Sequence, residues 1–231
     1  MTGPTPSAAG RPRPPESAAP EPAASLQARF GRIDIYLFDL LLRGLLTRDM
    51  RVLDAGCGAG RNLPFLLEEG FDVHALDRSE ESLRAVRALF VERTGRPPRV
   101  GRIARGVVEA LPWPDGRFDA VLSSAVLHFA RDADHFGAMV AEMGRVLRPG
   151  GLLWARLASS IGIEDRIRTL GDGRYRLPDG SDRFLVDEAM LTSWSARLGG
   201  RLVDPIKTTH VQGLRCMTTW VVRVGERAAG V

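Results

Sequence analysis

A glycine-rich turn between an apolar strand and a helix constrains this 231-residue chain more than any other feature. The turn runs Gly56-Cys57-Gly58-Ala59-Gly60 and follows the apolar pair Val52-Leu53, which is closed by Asp54. Glycine is required where the backbone takes a positive φ or where a ligand touches the main chain. In an open α/β sheet that place is the carboxyl end of the first strand, at the topological switch point. The pattern therefore predicts an α/β fold that binds a nucleotide-like molecule at this turn.

The spacing of the glycines separates two classes of nucleotide-like cofactor. A dinucleotide fold follows G-x-G-x-x-G/A, and counted from Gly56 its third small residue would stand where this chain has Arg61. The third glycine is instead Gly60, which gives G-x-G-x-G with Asp54 two residues before it. Arg61 and the lack of a plausible set of hydride-relay residues disfavour a nicotinamide oxidoreductase.

A second acid stands at the end of the next predicted strand. The mainly apolar run 71–76 ends in Asp77, whose carboxylate at such a place can accept hydrogen bonds from both ribose hydroxyls of a nucleoside. Ser79 is predicted to cap the helix that follows, with acids in its first turn that suit the helix dipole. Arg78 either stacks its guanidinium plane on an adenine ring or stays exposed.

Three further blocks follow in order: Gly106-Val107-Val108-Glu109-Ala110-Leu111-Pro112-Trp113, Phe118-Asp119-Ala120-Val121 and Arg145-Val146-Leu147-Arg148-Pro149-Gly150-Gly151. Together with the glycine turn they cover roughly residues 50 to 155, and this part resembles the class I S-adenosylmethionine-dependent methyltransferases of the small-molecule type. The resemblance implies a doubly wound, Rossmann-like sheet of seven strands, mostly parallel, with an antiparallel strand 7 between strands five and six. It also implies S-adenosyl-L-methionine as cofactor and methyl transfer as the activity.

The resemblance assigns most of the cofactor contacts to the ends of the strands. Asp54 and the loop 56–60 are expected to hold the methionine end of the cofactor, and Asp77 its ribose. The full predicted set is Asp54, Gly56, Cys57, Gly58, Gly60, Asn62, Asp77, Arg78, Val108, Glu109, Ser123 and Ser124. No metal-binding residues are predicted.

One residue departs from the family pattern. Val107 stands where the family often has an aspartate that accepts a hydrogen bond from the adenine amino group. Adenine selection would then depend on the backbone around Val108 and on Glu109, which either points inward or is exposed. Val107 keeps a second function open, a non-catalytic regulatory protein that binds S-adenosylmethionine.

The loop after strand four, residues 123–129, holds the candidate catalytic residue. Family members place residues of this loop beside the transferable methyl group. His128 is therefore predicted to act as a general base or to contact the substrate, because its unperturbed pKa is about 6.5. The alternative is a structural histidine.

An insertion follows strand five, at residues 159–185. Pro178-Asp179-Gly180 within it predicts a hairpin or a tight loop. The insertion is either a substrate lid or a surface decoration. Four candidate residues could bind an acidic or polar group there: Arg156, Arg174, Tyr175 and Arg183. As a lid the insertion would also exclude water from the reaction.

The domain is predicted to comprise residues 26–231, and sequence patterns at both of its ends predict secondary structure. Apolar residues recur at helical spacing over 25–46, with breaks expected near Gly31 and Gly44. Arg32, Asp34 and Tyr36 could face the site, but we favour a solvated helix face with a core tyrosine. Two strands, near residues 201–207 and 216–224, are expected to complete the sheet.

The composition of the chain limits the kinds of partner that we expect. Lys207 is the only lysine among 32 basic residues, net charge is +4, and the arginines are dispersed among acids, so no nucleic-acid partner is expected. No apolar run reaches the roughly 18 to 20 residues of a membrane span. Cys57 and Cys216 do not suggest a disulfide framework. Residues 1–25, rich in Pro and Ala without a signal sequence, predict a disordered tail and a cytoplasmic protein, and a small molecule is the default acceptor.

Overall fold

Helices and strands alternate along most of the chain in the computed structural model, which describes residues 23–225. Up to the fourth strand the elements are α1 (Ala23–Phe30), α2 (Ile35–Leu42), β1 (Arg51–Ala55), α3 (Pro64–Glu68), β2 (Asp72–Asp77), α4 (Glu80–Thr94), β3 (Ile103–Arg105) and β4 (Phe118–Ser124). A 3₁₀ turn (Leu127–Phe129) follows, and then α5 (Ala133–Val146), β5 (Leu147–Ser159), β6 (Arg168–Gly171), β7 (Arg174–Arg176), β8 (Asp182–Phe184), α6 (Glu188–Arg197), β9 (Arg201–Leu202), β10 (Lys207–Val211) and β11 (Arg215–Arg223). The predicted tail, residues 1–25, lies outside the described residues except for its last three, which begin α1.

The main sheet has the order β10-β11-β5-β4-β1-β2-β3, with β9 paired to β11. The pairs from β3 through β5 are parallel, whereas β11 runs antiparallel to both β5 and β10. This order confirms the predicted Rossmann-like sheet, in which the last strand is inserted antiparallel between strands five and six. Because the carboxyl ends of β1, β2 and β4 share one edge, the loops after them meet there.

The sixth strand is broken into two pieces. A single strand is predicted over 201–207, but β9 ends at Leu202 and β10 begins only at Lys207, and both pair with β11. Pro205 stands between the two pieces, and proline has no N–H to donate to a sheet ladder. The predicted bounds are therefore wrong, although the strand exists at the predicted edge of the sheet.

The sheet is covered on both faces, as a doubly wound fold requires. On one face Phe136 and Met143 of α5 pack with Leu191 of α6. On the other face α2, α3 and α4 contribute Leu37, Leu66 and further buried apolar residues. Neighbouring strand residues point to opposite faces, and because both faces are covered the interior residues of the central strands β1, β2 and β4 are buried.

The insertion forms a small sheet of its own. β6, β7 and β8 pair antiparallel, and the β7–β8 connection carries Pro178-Asp179-Gly180, which confirms the predicted hairpin. Phe184 at the end of β8 is fully buried and stacks on Phe136 of α5, with 5.2 Å between ring centroids. The insertion is thus anchored in the core of the domain. None of the helices in residues 23–225 is both long and apolar enough to span a membrane.

Candidate functional site

The glycine turn is held open by its backbone geometry. Gly56, Gly58 and Gly60 have φ of +82°, +52° and +80°, a region that favours glycine. The backbone N–H groups of Gly56 and Cys57 both donate to the Leu76 carbonyl, at 2.8 and 2.9 Å, which ties the turn to the end of β2. A Cβ on Gly58 would meet no atom within 4 Å, so a ligand can approach the main chain there.

A cavity of about 680 Å³ opens beside this turn, at the carboxyl ends of β1, β2 and β4. All of the predicted cofactor-binding residues except Gly60 and Ser123 line it. Ser123 is fully buried, and Gly60 packs against α4, where an added Cβ would lie 3.2 Å from Val86 and Leu89. The cavity is also lined by residues that were not predicted: Ala59, Arg61, Leu76, Gly106, Val107, Ala125, Val126, Phe129, Arg131, His135 and Met139.

Asp54 is the buried acid of the cavity. Its side chain is almost fully enclosed, and Oδ1 has no hydrogen-bond partner among the described residues. Burial raises the pKa of this carboxyl to about 7, and the Arg61 charge partly opposes that rise. A buried acceptor without a partner is costly, so a cation that entered the cavity would relieve it. An ammonium group, such as that of a methionine moiety, fits this position.

Asp77 is fixed at the end of β2 by two backbone donors. Its Oδ2 accepts from the Gly58 N–H and its Oδ1 from the Ser79 N–H, both at 2.8 Å. Ser79 also caps α4, since its hydroxyl accepts from the Ser82 N–H at 3.2 Å, as predicted. Each carboxylate oxygen keeps a further lone pair, and ribose hydroxyls are the donors that such a site suits.

The loop after β3 forms another wall of the cavity. Val107 is 41% exposed, whereas Val108 is buried. Glu109 points across the loop, with Oε1 3.0 Å from Nε2 of His135. Nδ1 of His135 accepts a hydrogen bond from the Arg131 backbone N–H at 3.1 Å, so in the neutral imidazole the ring proton is on Nε2, the nitrogen that faces Glu109. His135 was not predicted; the only sequence signal for it is its place in the first turn of α5 after the cap Asp132.

His128, the predicted general base, does not line the cavity. The side chain is 6% exposed, and Nδ1 accepts a hydrogen bond from the Ala158 N–H at 3.2 Å. Burial, with help from the Arg183 charge, lowers the pKa of the imidazole to about 4, so it is neutral at pH 7. His128 thus lies within the 3₁₀ turn, hydrogen-bonded to β5 and outside the cavity lining, and its role as a general base stays a prediction.

The segment before β1 reaches the rim of the site, so the favoured interpretation of Asp34 as part of a solvated face is wrong. Asp34 Oδ2 lies 3.0 Å from Arg156 Nε and 3.4 Å from Arg61 Nη2, and its backbone N–H donates to Asn62 Oδ1 at 3.0 Å. Arg61 also donates to Ser124 Oγ at 2.6 Å, which links this segment to the end of β4.

Two other side chains of this segment behave differently. The Arg156 guanidinium lies 4.5 Å from the centroid of the Tyr36 ring, and the Tyr36 hydroxyl is 2.9 Å from Thr209 Oγ1 on β10. Tyr36 is thus partly buried against the core, as favoured, while its hydroxyl contacts the edge of the sheet. Arg32 is exposed, as favoured.

Known proteins resemble this chain mainly in the part that forms the sheet and the cavity. The family described as "Methyltransferase domain" matches residues 53–155, from β1 to β5. A malonyl-[acyl-carrier protein] O-methyltransferase of Enterobacter lignolyticus is 33% identical over 178 residues, which is 77% of this chain and 66% of the relative. The chain spans 45% to 66% of the length of the curated relatives it matches.

Solved structures share the fold. A protein of Methanosarcina mazei described as a SAM-dependent methyltransferase superposes with a TM-score of 0.66 at 19% identity, over 81% of this chain and 98% of that one. The 1,6-didemethyltoxoflavin-N1-methyltransferase of Burkholderia thailandensis, solved with S-adenosylhomocysteine, gives 0.61 at 22% identity, over 91% and 94%.

Proposed function

The chain belongs to the class I S-adenosylmethionine-dependent methyltransferase family, and we propose that it transfers a methyl group from S-adenosyl-L-methionine to a small-molecule acceptor. The observation that carries the proposal is the unpartnered, buried Oδ1 of Asp54 in the wall of a cavity beside the open glycine turn. An acceptor atom that has lost its water and found no protein partner favours a cationic ligand.

Each wall of the cavity suits one part of that cofactor. Asp54 would hold the ammonium of the methionine moiety, and the exposed main chain at Gly58 would let the ligand approach closely. Asp77, already oriented by two backbone donors, would accept from the ribose hydroxyls. The apolar Val107 and Val108, on the neighbouring loop, would pack on the adenine.

When bound, S-adenosylmethionine supplies a methyl group that its sulfonium charge has already activated. The residues of this chain then have to position the acceptor and exclude water, and such positioning is worth roughly 7 to 11 kcal/mol of a reaction barrier. Four residues at and after the end of β4 line the cavity beside the glycine turn and would do this: Ser124, Ala125, Val126 and Phe129. His128, which is buried within the same loop, would support the shape of the loop through the hydrogen bond from the Ala158 N–H.

Val107 favours the alternative function, a regulatory protein that binds S-adenosylmethionine without consuming it. Its side chain lines the cavity where a carboxylate could otherwise accept from the adenine amino group. The alternative predicts tight binding of the cofactor and no methylated product with any acceptor.

The test is isothermal titration calorimetry of the full chain with S-adenosylmethionine and with S-adenosylhomocysteine, and with NADH as the ligand control. We expect about micromolar binding of the sulfur compounds only, and a loss of about tenfold or more in Asp77→Ala, because two charge-assisted hydrogen bonds disappear. Asp77→Asn keeps the side-chain shape in case the alanine variant folds poorly. Asp165→Ala removes an exposed acid of the insertion and is expected to bind normally. No binding of either sulfur compound by the folded protein would contradict the proposal.

A further inference from the structure

An exposed aromatic side chain stands at the rim of the cavity. Phe129 is 55% exposed although it lines the cavity and closes the 3₁₀ turn after β4. Val126, three residues earlier, packs so closely on the glycine turn that a Cβ on Gly56 would lie 2.5 Å from it. One face of the Phe129 ring is therefore available to a molecule that enters beside the glycine turn.

Two arginines of the insertion converge on this aromatic residue. The Arg183 guanidinium of β8 lies 5.1 Å from the centroid of the Phe129 ring, and Arg174 of β7 donates to the Ala130 carbonyl at 3.0 Å. Within residues 23–225 neither of these arginines lies at ion-pairing distance from a carboxylate. The insertion thus presents two guanidinium groups without a direct carboxylate partner to the turn that lines the cavity.

Besides Asp54 and Asp77, which would face the cofactor, the described residues that line the cavity include one further acid, Glu109, together with Arg61, Arg78 and Arg131. Arg131 lies two residues after Phe129, and its nearest carboxylate is that of Glu109, at 3.9 Å. On the opposite side Arg61 and Arg156 share the single carboxylate of Asp34.

Ion pairing alone does not distinguish these arginines, because Arg43 makes a two-pronged pair with Asp204, at 2.7 and 2.8 Å, whereas the exposed Arg168 has no carboxylate at ion-pairing distance among the described residues. Arg183 and Arg131 differ from the other arginines by their place: Arg183 lies over the exposed Phe129 ring, and Arg131 lines the cavity close to that ring.

We propose that the methyl acceptor is a small organic carboxylate, whose apolar part packs on Phe129 and whose carboxylate is bound by Arg183 and Arg131. A guanidinium fork matches the two oxygens of a carboxylate, and its weak hydration lets it lie flat on an aromatic ring at the same time. The inference rests on the proposed function, because it identifies the acceptor class of the same cavity. It also gives the insertion a role in substrate selection.

The experiment uses the full chain saturated with S-adenosylhomocysteine, so that the cofactor side is filled. Benzoate and hexanoate are compared with benzamide and hexanamide by saturation-transfer NMR and by titration, because each amide keeps the shape of its acid and removes the charge. We expect saturation transfer from the protein to both carboxylates and not to the amides. Binding of S-adenosylhomocysteine in the first step shows separately whether the proposed function stands.

Substitutions then test whether Arg183 binds the carboxylate. Arg183→Gln is expected to weaken carboxylate binding about tenfold, and Arg183→Lys to weaken it less, while the affinity for S-adenosylhomocysteine stays unchanged. Arg168→Gln removes an exposed arginine of the same small sheet and is expected to change neither. Circular dichroism and thermal melting check that each variant is folded.

Three results would overturn the inference while leaving cofactor binding intact. They are equal binding of acids and amides, no binding of either acid, and an equal loss in the Arg168 and Arg183 variants. The last would mean that the overall charge of the insertion acts at a distance, without a carboxylate subsite.

Discussion

Replacing Asp54 by asparagine should raise the stability of the ligand-free protein relative to the natural protein as the pH rises from 5 to 7.5, and it should weaken cofactor binding. Burial raises the pKa of this carboxyl from its ordinary 3.8 to about 7. At pH values between 3.8 and about 7 the carboxyl of the folded protein is therefore still protonated, whereas that of the unfolded protein has lost its proton. Since the native state binds more protons in this range, the stability contributed by the protonated acid is complete below pH 4 and is lost as the pH rises toward 7. An amide of the same shape does not titrate and escapes this loss.

The size of the effect follows from the shift in pKa. Each pH unit within the window is worth about 1.4 kcal/mol. The unfolding free energy of Asp54→Asn should therefore rise relative to the natural protein by about 2 to 3 kcal/mol between pH 5 and pH 7.5, and the difference should level off above that. Any constant cost of burying the amide cancels when the two pH values are compared.

Urea unfolding of both proteins at a series of pH values measures this difference directly. Calorimetry on the same samples should show weaker binding of S-adenosylmethionine by the variant, by about tenfold or more, because the buried charge opposite the ammonium is gone. Parallel stability curves would refute the reasoning, since they would mean that the Asp54 carboxylate titrates as it does in the unfolded chain. Higher stability with unchanged cofactor binding would instead remove Asp54 from the ligand site.

Two further substitutions test the architecture around the cavity. His128→Ala should lower the unfolding free energy by about 1 to 3 kcal/mol, because it leaves the Ala158 N–H without its acceptor and opens a small cavity. The affinity of this variant for S-adenosylmethionine, measured by calorimetry, should change little. Loss of all turnover in a stably folded His128→Gln variant would instead support the prediction that His128 acts as a general base. Gly56→Ala should be destabilised by about 1 to 3 kcal/mol and lose cofactor binding, because its φ of +82° and the contact with Val126 both exclude a methyl group. Gly44→Ala is its matched control, because Gly44 also has a positive φ, of +66°, but nothing lies within 4 Å of its added Cβ and it does not line the cavity; equal losses of melting temperature in the two variants would contradict this account.

The features that could be predicted from the sequence depend on contacts between near neighbours in the chain. The Gly56–Gly60 turn, the Ser79 cap and the hairpin at Pro178-Asp179-Gly180 are each fixed by a few consecutive residues. The strand order followed from the family resemblance and not from any one pattern. Asp77 could be placed at the site because the carboxyl ends of parallel strands share an edge.

The features that were missed depend on contacts between residues far apart in the chain. The buried imidazole of His128 accepts a hydrogen bond from the backbone N–H of Ala158, 30 residues away in the chain. Asp34 reaches the rim through Arg156, which no helical pattern near residue 34 could indicate. The pairing of Glu109 with His135 likewise joins two loops that only the folded sheet brings together.

The broken sixth strand bears on how the protein behaves at high concentration. Open edges of a sheet carry free N–H and C=O groups that can recruit a strand from another molecule. Here β3 ends one side of the sheet with only three residues, and on the other side Pro205 divides the edge into β9 and β10. Lys207 adds a charge at the start of β10, which further discourages strand addition. The wide sheet that supports the site is thereby protected from edge-to-edge aggregation, although the hydrogen bonds between the sixth strand and β11 are interrupted.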